Sequence, residues 1–401
     1  MNRETRMTNG ESTVATQDFS FLHSARQVIH AVGGIGRIGP LAKERGLRSI
    51  VCVIDRFFSG GSLEARLREI AAAAGARIVF HAVSGGEADT DTVAACRDAL
   101  VQATPDLIVA IGGGSTLDAA KVARMLLANP GPVEAIAGAG KAMQPHASLL
   151  VALPTTAGSG AEVSESAIIS KSGAELKLIF RSPEMTPQIA ILDPELAVSA
   201  PAKVTAESGF DAVTHALEAY VSNHASPMTD PFAWSALAAL ARWLPISYRE
   251  PRDLAARSHC LIAACQAAIA FNSAHLGLAH ALSAPLGALF HVGHGLGNAL
   301  VLPAVTAFNE PVLGEKGQAI AALLGAVTPS AGLARLRAEL GLDIGLDQFV
   351  PDRRGREALA LAAMKSGQLR MNPRLASLDD MQRIVEAARA PIGTQRPPFR
   401  E

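Results

Sequence analysis

Between residues 26 and 195, short Val/Ile-rich runs alternate with Ala/Leu-rich stretches of helical composition, and after residue 195 the strand signals fade. "SIVCVID", "ARIVFHAV", "DLIVAIGGG" and "SLLVALP" are apolar through most consecutive positions instead of every second one. Such strands are covered on both faces, which in an alternating chain means a mostly parallel sheet with helices above and below. "SLEARLREIAAAAG", "DTVAACRDALVQA" and "TLDAAKVARMLLA" supply those helices. The expected organisation is a polar tail over residues 1–18, an α/β dinucleotide-binding domain with a parallel sheet over 19–195, and an all-helical domain over 196–401. The junction is expected near "LDPELAVSAPAKV".

Charge narrows the function classes. Lys plus Arg number 36 against 37 Asp plus Glu, so no global field draws in nucleic acid or an anionic membrane surface. The four cysteines, Cys52, Cys96, Cys260 and Cys265, form no C-x-x-C pair and are too sparse for a secreted disulfide framework. They read as buried thiols of a cytoplasmic protein. No Asp, Glu, Lys or Arg occurs between Arg257 and Glu310, but five histidines, three asparagines, Pro285 and Pro303 lie there. Those groups would be costly in hydrocarbon, so helices buried in a protein core are expected.

Two glycine-rich segments compete for a phosphate. "GGIGRIG" at 33–39 is a literal G-x-G-x-x-G, with Asp55 some twenty residues on, but barely two helical turns follow before the next strand. "LIVAIGGGSTLDAAK" at 107–121 is the stronger candidate. An apolar strand runs into Gly112, Gly113 and Gly114, and a helix starts at once, so backbone amides at its N-terminus can cradle a pyrophosphate. Asp118 suits the first turn of that helix as a dipole or capping residue. Asp55 closes "SIVCVID", where a carboxylate can accept from ribose hydroxyls and repel a 2′-phosphate, or simply end a strand.

"GFDAVTHALEAY" at 209–220 puts Asp211 and His215 four residues apart, on one face of a helix. Alone, the pair fits a core histidine with its partner or half of a metal site. "GLAHALSAPLGALFHVGHG" at 277–295 adds His280, His291 and His294. Pro285, Gly287 and Gly293 argue against one unbroken helix there, although a helix end and a returning loop could bring His280 and His294 inward. One carboxylate and three imidazoles suit a borderline divalent cation such as Fe²⁺ or Zn²⁺.

Taken in order, "GGGSTLDAAK", "PTTAGSGAEVS", "GFDAVTHALEAY" and "HALSAPLGALFHVGHG" resemble the iron-dependent (group III) alcohol dehydrogenases. The resemblance implies that Asp211, His215, His280 and His294 are metal ligands and that Gly112, Gly113, Gly114 and Ser115 hold the NAD pyrophosphate. It also implies that Asp118, Thr155, Thr156, Ser159 and Lys177 line the cofactor cleft, that Asp55 meets the ribose, and that the chain forms a homo-oligomer, with a dimer favoured. Three positions depart from many relatives: Ala284 stands for a second histidine, Gly293 for a proline, and "GEADTD" lacks the asparagine-proline-threonine turn.

The implied activity is NAD(H)-linked interconversion of a small alcohol with its aldehyde or ketone, the metal acting as a Lewis acid on the substrate oxygen. A maleylacetate reductase-like enzyme and a dehydroquinate synthase-like lyase are the alternatives. With Ala284 unable to pass a proton, His291, three residues before His294, is the expected catalytic relay, since imidazoles titrate near neutrality.

Overall fold

The structure is a computed structural model that describes residues 21–139, 142–174 and 176–390; the tail expected over residues 1–18 lies outside them. Nine strands form among the described residues: β1 (Gln27–His30), β2 (Ser49–Asp55), β3 (Arg77–Val83), β4 (Leu107–Gly112), β5 (Gly138–Ala139), β6 (Leu149–Pro154), β7 (Ser166–Ser170), β8 (Lys177–Arg181) and β9 (Ile189–Leu192). Interleaved with them are α1 (Ile38–Glu44), α2 (Ser62–Ala73), α3 (Thr90–Ala103) and α4 (Gly114–Ala128). The helices that follow are α5 (Pro194–Ala197), α6 (Ala202–Val221), α7 (Asp230–Arg249), α8 (Leu254–Ala274), α9 (Leu278–Phe290), α10 (His294–Leu323), α11 (Pro329–Glu339), α12 (Arg353–Ala363) and α13 (Leu378–Ala387).

Six strands pair in the order β1-β9-β6-β4-β2-β3, all parallel. The apolar runs are continuous because alternate residues serve two cores. Val51 and Val53 of β2 pack with α3 and α4 on one face, and Ile50, Cys52 and Ile54 pack with α1 and α2 on the other. From β2 the chain crosses outward to β3 and then back over to β4. That reversal opens a crevice at the carboxyl ends of β2 and β4, where open α/β sheets bind their ligands.

A second, three-stranded sheet in the order β5-β8-β7 is not evident from the hydrophobic pattern. Its hairpin, β7 with β8, is antiparallel and covered on one face, so Ile169 is buried while Ile168 and Ile179 are exposed. Beyond β9 the described chain is helical apart from turns. Among the described residues one helix, α8, is long and apolar enough to cross a membrane. It packs against α6 and α7 as a core helix, which accounts for the charge-free stretch.

Candidate metal and cofactor site

Helix α6 carries Asp211, His215 and Glu218, spaced by four and three residues and all buried. This periodicity aims the three side chains at one side. His280 comes from α9, which contains Pro285 and ends at His291, whose left-handed backbone (φ 55°) reverses the chain. His294 then opens α10. The chain thus breaks and turns back between His280 and His294 instead of running as one helix. Gly295 lets this turn close: a Cβ there would collide with the Glu207 carbonyl and lie 3.5 Å from Asp211 Cβ. Only glycine permits α10 to approach α6 so closely.

Asp211 Oδ1 lies 3.7 Å from His215 Nε2, 3.8 Å from His280 Nε2 and 3.6 Å from His294 Nε2. The four ligand atoms all fall within 4.8 Å of one another. Donors held at about 2.0–2.2 Å around a tetrahedral ion are about 3.3–3.6 Å apart, so the Asp211–histidine spacings already come close to a coordination shell and the wider histidine pairs would close by up to about 1 Å. Three of the residues are buried, while the His294 side chain is 33% exposed and leaves the site open on one side. Catalytic metal sites keep such an open position, and structural ones do not.

Electrostatics agree with ligation. Burial opposes a charged Asp211, but His215 foremost, then His294, His280 and the Asn298 amide, hold its carboxyl below the ordinary value. Burial lowers His215 to about 4, although Asp211 pulls the other way, and burial likewise lowers His294. Asp211 is thus held toward its carboxylate and His215 and His294 toward their neutral imidazoles, the forms that bind metal.

Three residues of this site escaped the sequence analysis. Glu218 accepts from the backbone N–H groups of Gly277 (2.9 Å) and Ala279 (2.7 Å) and from His280 Nδ1 (2.7 Å). It caps α9 and fixes the tautomer of His280, leaving Nε2 its lone pair. Its place three residues after His215 in "GFDAVTHALEAY" was the available signal. Asn298, one turn after His294, donates to Asp211 Oδ1 at 2.7 Å. Glu87 pairs with Lys177 Nζ at 2.7 Å and takes a 3.1 Å hydrogen bond from Ser170. Burial raises its carboxyl, but Lys177 and Ser170 prevail and hold it low. No local pattern marks Glu87, because its partners lie on β7 and β8.

The cofactor candidates gather at the crevice. Gly112 ends β4, Gly113 caps α4 and Gly114 begins it. Gly112 pairs with Pro154 of β6, and Thr155 donates its N–H to the Gly112 carbonyl. A Cβ on Gly114 would lie 2.5 Å from Ser159 Oγ, and one on Gly113 3.6 Å from Thr156 Oγ1, so the loops after β4 and β6 are in contact. Ser115, Thr156 and Ser159 are partly exposed along this rim. Asp55 ends β2 with one oxygen accepting from Phe57 N at 2.9 Å. Asp118 uses both oxygens internally, toward Lys121 Nζ (3.4 Å) and Ile168 N (3.0 Å), which ties α4 to β7. Lys177 begins β8, and a Cβ on Gly287 of α9 would lie 2.9 Å from its Nζ, so the hairpin closes against the metal-binding helices.

The competing glycine segment is settled by Asp193. Its carboxylate accepts from Gly33 N and Ile35 N, both at 3.0 Å, so the amides of "GGIGRIG" are already engaged. His291 is exposed and makes no hydrogen bond to the ligand set among the described residues.

Residues 25–194 match the sequence model for iron-containing alcohol dehydrogenases, and residues 205–389 match the C-terminal part of the Fe-containing alcohol dehydrogenase family. The chain is 35% identical to the probable alcohol dehydrogenase EutG of Escherichia coli, over 89% of this chain and 91% of the relative. It is 32% identical to the NAD-dependent methanol dehydrogenase of Bacillus methanolicus, over 89% and 96%. The iron-containing alcohol dehydrogenase of Thermococcus thioreducens superposes with a TM-score of 0.84 at 28% identity, over 92% of this chain and 99% of that one.

Proposed function

We propose, from the premise that this chain belongs to the iron-containing alcohol dehydrogenase family, that it is a metal-dependent, NAD(H)-linked oxidoreductase interconverting a small alcohol and its aldehyde or ketone by hydride transfer. The observation that carries this reading is the convergence of Asp211, His215, His280 and His294 within 4.8 Å beside an exposed edge. A divalent ion there, Fe²⁺ or Zn²⁺, supplies Lewis acidity toward a substrate oxygen, and NAD supplies the hydride acceptor. The chain's own residues do the rest. Glu218 orients His280, and the burial of Asp211, His215 and His280 keeps them from water while His294 remains partly exposed.

In this reading Gly112, Gly113, Gly114 and Ser115 hold the pyrophosphate at the start of α4. Thr155, Thr156, Ser159 and Lys177 line the cleft, Asp118 braces it through β7, and Asp55 offers its second oxygen to the ribose. Exposed His291 exchanges protons between solvent and the site. Edge strand β1, whose Val28 is exposed along with Val32 just beyond it, supports a homodimer, and four buried free thiols support a reducing, cytoplasmic compartment.

Neither a maleylacetate reductase-like nor a lyase reading is favoured by the relatives, EutG and the methanol dehydrogenase, both of which carry alcohol dehydrogenase names. The test is NADH absorbance with a panel of small alcohols and carbonyls, before and after metal removal. Loss of turnover on chelation and recovery with Fe²⁺ or Zn²⁺ are expected. Full turnover by metal-free protein would refute the reading.

A further inference from the structure

Asn298 is fully buried on α10, and its side-chain nitrogen faces three of the four candidate ligands at once. Nδ2 lies 2.7 Å from Asp211 Oδ1, 3.1 Å from His280 Nε2 and 3.4 Å from His294 Nε2. Proton accounting sets the orientation of the amide. The Asp211 carboxylate only accepts, and in the neutral tautomer whose Nδ1–H donates to Glu218, His280 Nε2 accepts as well. The NH₂ end must therefore point at the cluster. At the other end Oδ1 is buried without a hydrogen-bond partner. An asparagine serving packing alone would satisfy both ends or give way to leucine; a buried orphan carbonyl is costly, so the value of this side chain lies at Nδ2.

We propose that Asn298 is a positioning residue of the metal site: a neutral donor on α10 whose two N–H groups draw Asp211 of α6 and His280 of α9 together, with His294 at the edge of their reach, and aim Asp211 Oδ1 at the ion. This rests on the metal-dependent reading above. The hydrogen bond to Asp211 is compatible with a bound ion, because a carboxylate oxygen has a second lone pair. Each imidazole Nε2 has one, so the Asn298 contacts to His280 and His294 yield to the ion while the Asp211 contact persists. The carboxamide thus assembles the ligands beforehand and then restrains one of them.

The experiment uses the full chain stripped of metal by a chelator, titrated with Co²⁺ by its visible absorption and with Zn²⁺ by chelator competition. Wild type should bind one ion per chain. Asn298→Leu and Asn298→Ala should bind about 10–100-fold more weakly, with an altered Co²⁺ spectrum. Metal-free Asn298→Leu loses the hydrogen bond to the buried Asp211 carboxylate together with the orphan carbonyl, so it should keep the wild-type near-ultraviolet circular dichroism and a cooperative denaturant transition while its affinity falls; a general loss of structure would not separate the two readouts in this way. Should Asn298→Leu fail to fold, Asn298→Ala carries the same comparison. Wild-type affinity and spectrum in the variants overturn the proposal while leaving the metal site in place. A wild-type chain that binds no ion overturns the metal-dependent reading itself.

Discussion

Replacing Glu218 with glutamine removes one oxygen from a carboxylate that serves three donors. Oε1 accepts from Ala279 N, and Oε2 accepts from Gly277 N and faces His280 Nδ1. The glutamine carbonyl can take the place of Oε2 and keep two of these bonds, but its NH₂ then meets the Ala279 N–H, donor against donor. One buried hydrogen bond to a charged acceptor is lost, at about 1.5–3 kcal/mol. The opposite amide orientation loses two and costs about twice as much. Because a neutral carbonyl polarises His280 Nδ1–H less than a carboxylate does and so makes Nε2 a weaker base, metal affinity should also fall, by about 10-fold. Trp234 and Trp243, the chain's two tryptophans, both lie on α7, which packs on α6, so their fluorescence follows unfolding of this region. Denaturant titration of metal-free protein and Co²⁺ titration of the same sample measure the two effects separately. If Glu218→Gln leaves both the midpoint and the affinity unchanged, the three bonds do not hold α9 and His280 in place, and the assignment of Glu218 is wrong.

Gly114→Ala should raise KM for NAD roughly tenfold, from an overpacking cost of about 1–3 kcal/mol against Ser159 Oγ; adding Ser159→Gly should reverse most of it, and steady-state kinetics decide. Asp55→Gly should narrow or invert a preference for NAD over NADP, read as the ratio of kcat/KM for the two cofactors; equal efficiencies in the unaltered enzyme would remove Asp55 from the ribose site. His291→Ala should lower turnover while leaving metal content and cofactor affinity intact, and an unchanged rate across neutral pH returns it to a capping role. Burial holds the thiols of Cys96 and Cys260 up at about 12 and raises those of Cys52 and Cys265 as well. Native protein should therefore resist thiol-reactive dyes and yield four reactive groups only on unfolding.

The legible part of this protein was written in local periods. Continuous apolar runs announced a sheet covered on both faces, because each strand in it supplies two cores. The glycines after β4 announced a tight strand-to-helix turn. The spacing of Asp211 and His215 put them on one helix face without any knowledge of what lay opposite. What local pattern could not decide was which distant groups meet. Two segments read as phosphate loops until Asp193, 160 positions from Gly33, was seen to occupy the amides of one of them. The convergence of His280 and His294 on Asp211 depends on a left-handed turn at His291 and a missing Cβ at Gly295. The pairing of Glu87 with Lys177 across 90 residues left no trace in either neighbourhood. Helical and strand periods follow from backbone geometry within a few residues, whereas the closing of a ligand set follows from how closely whole helices can approach, and that distance is decided only by packing.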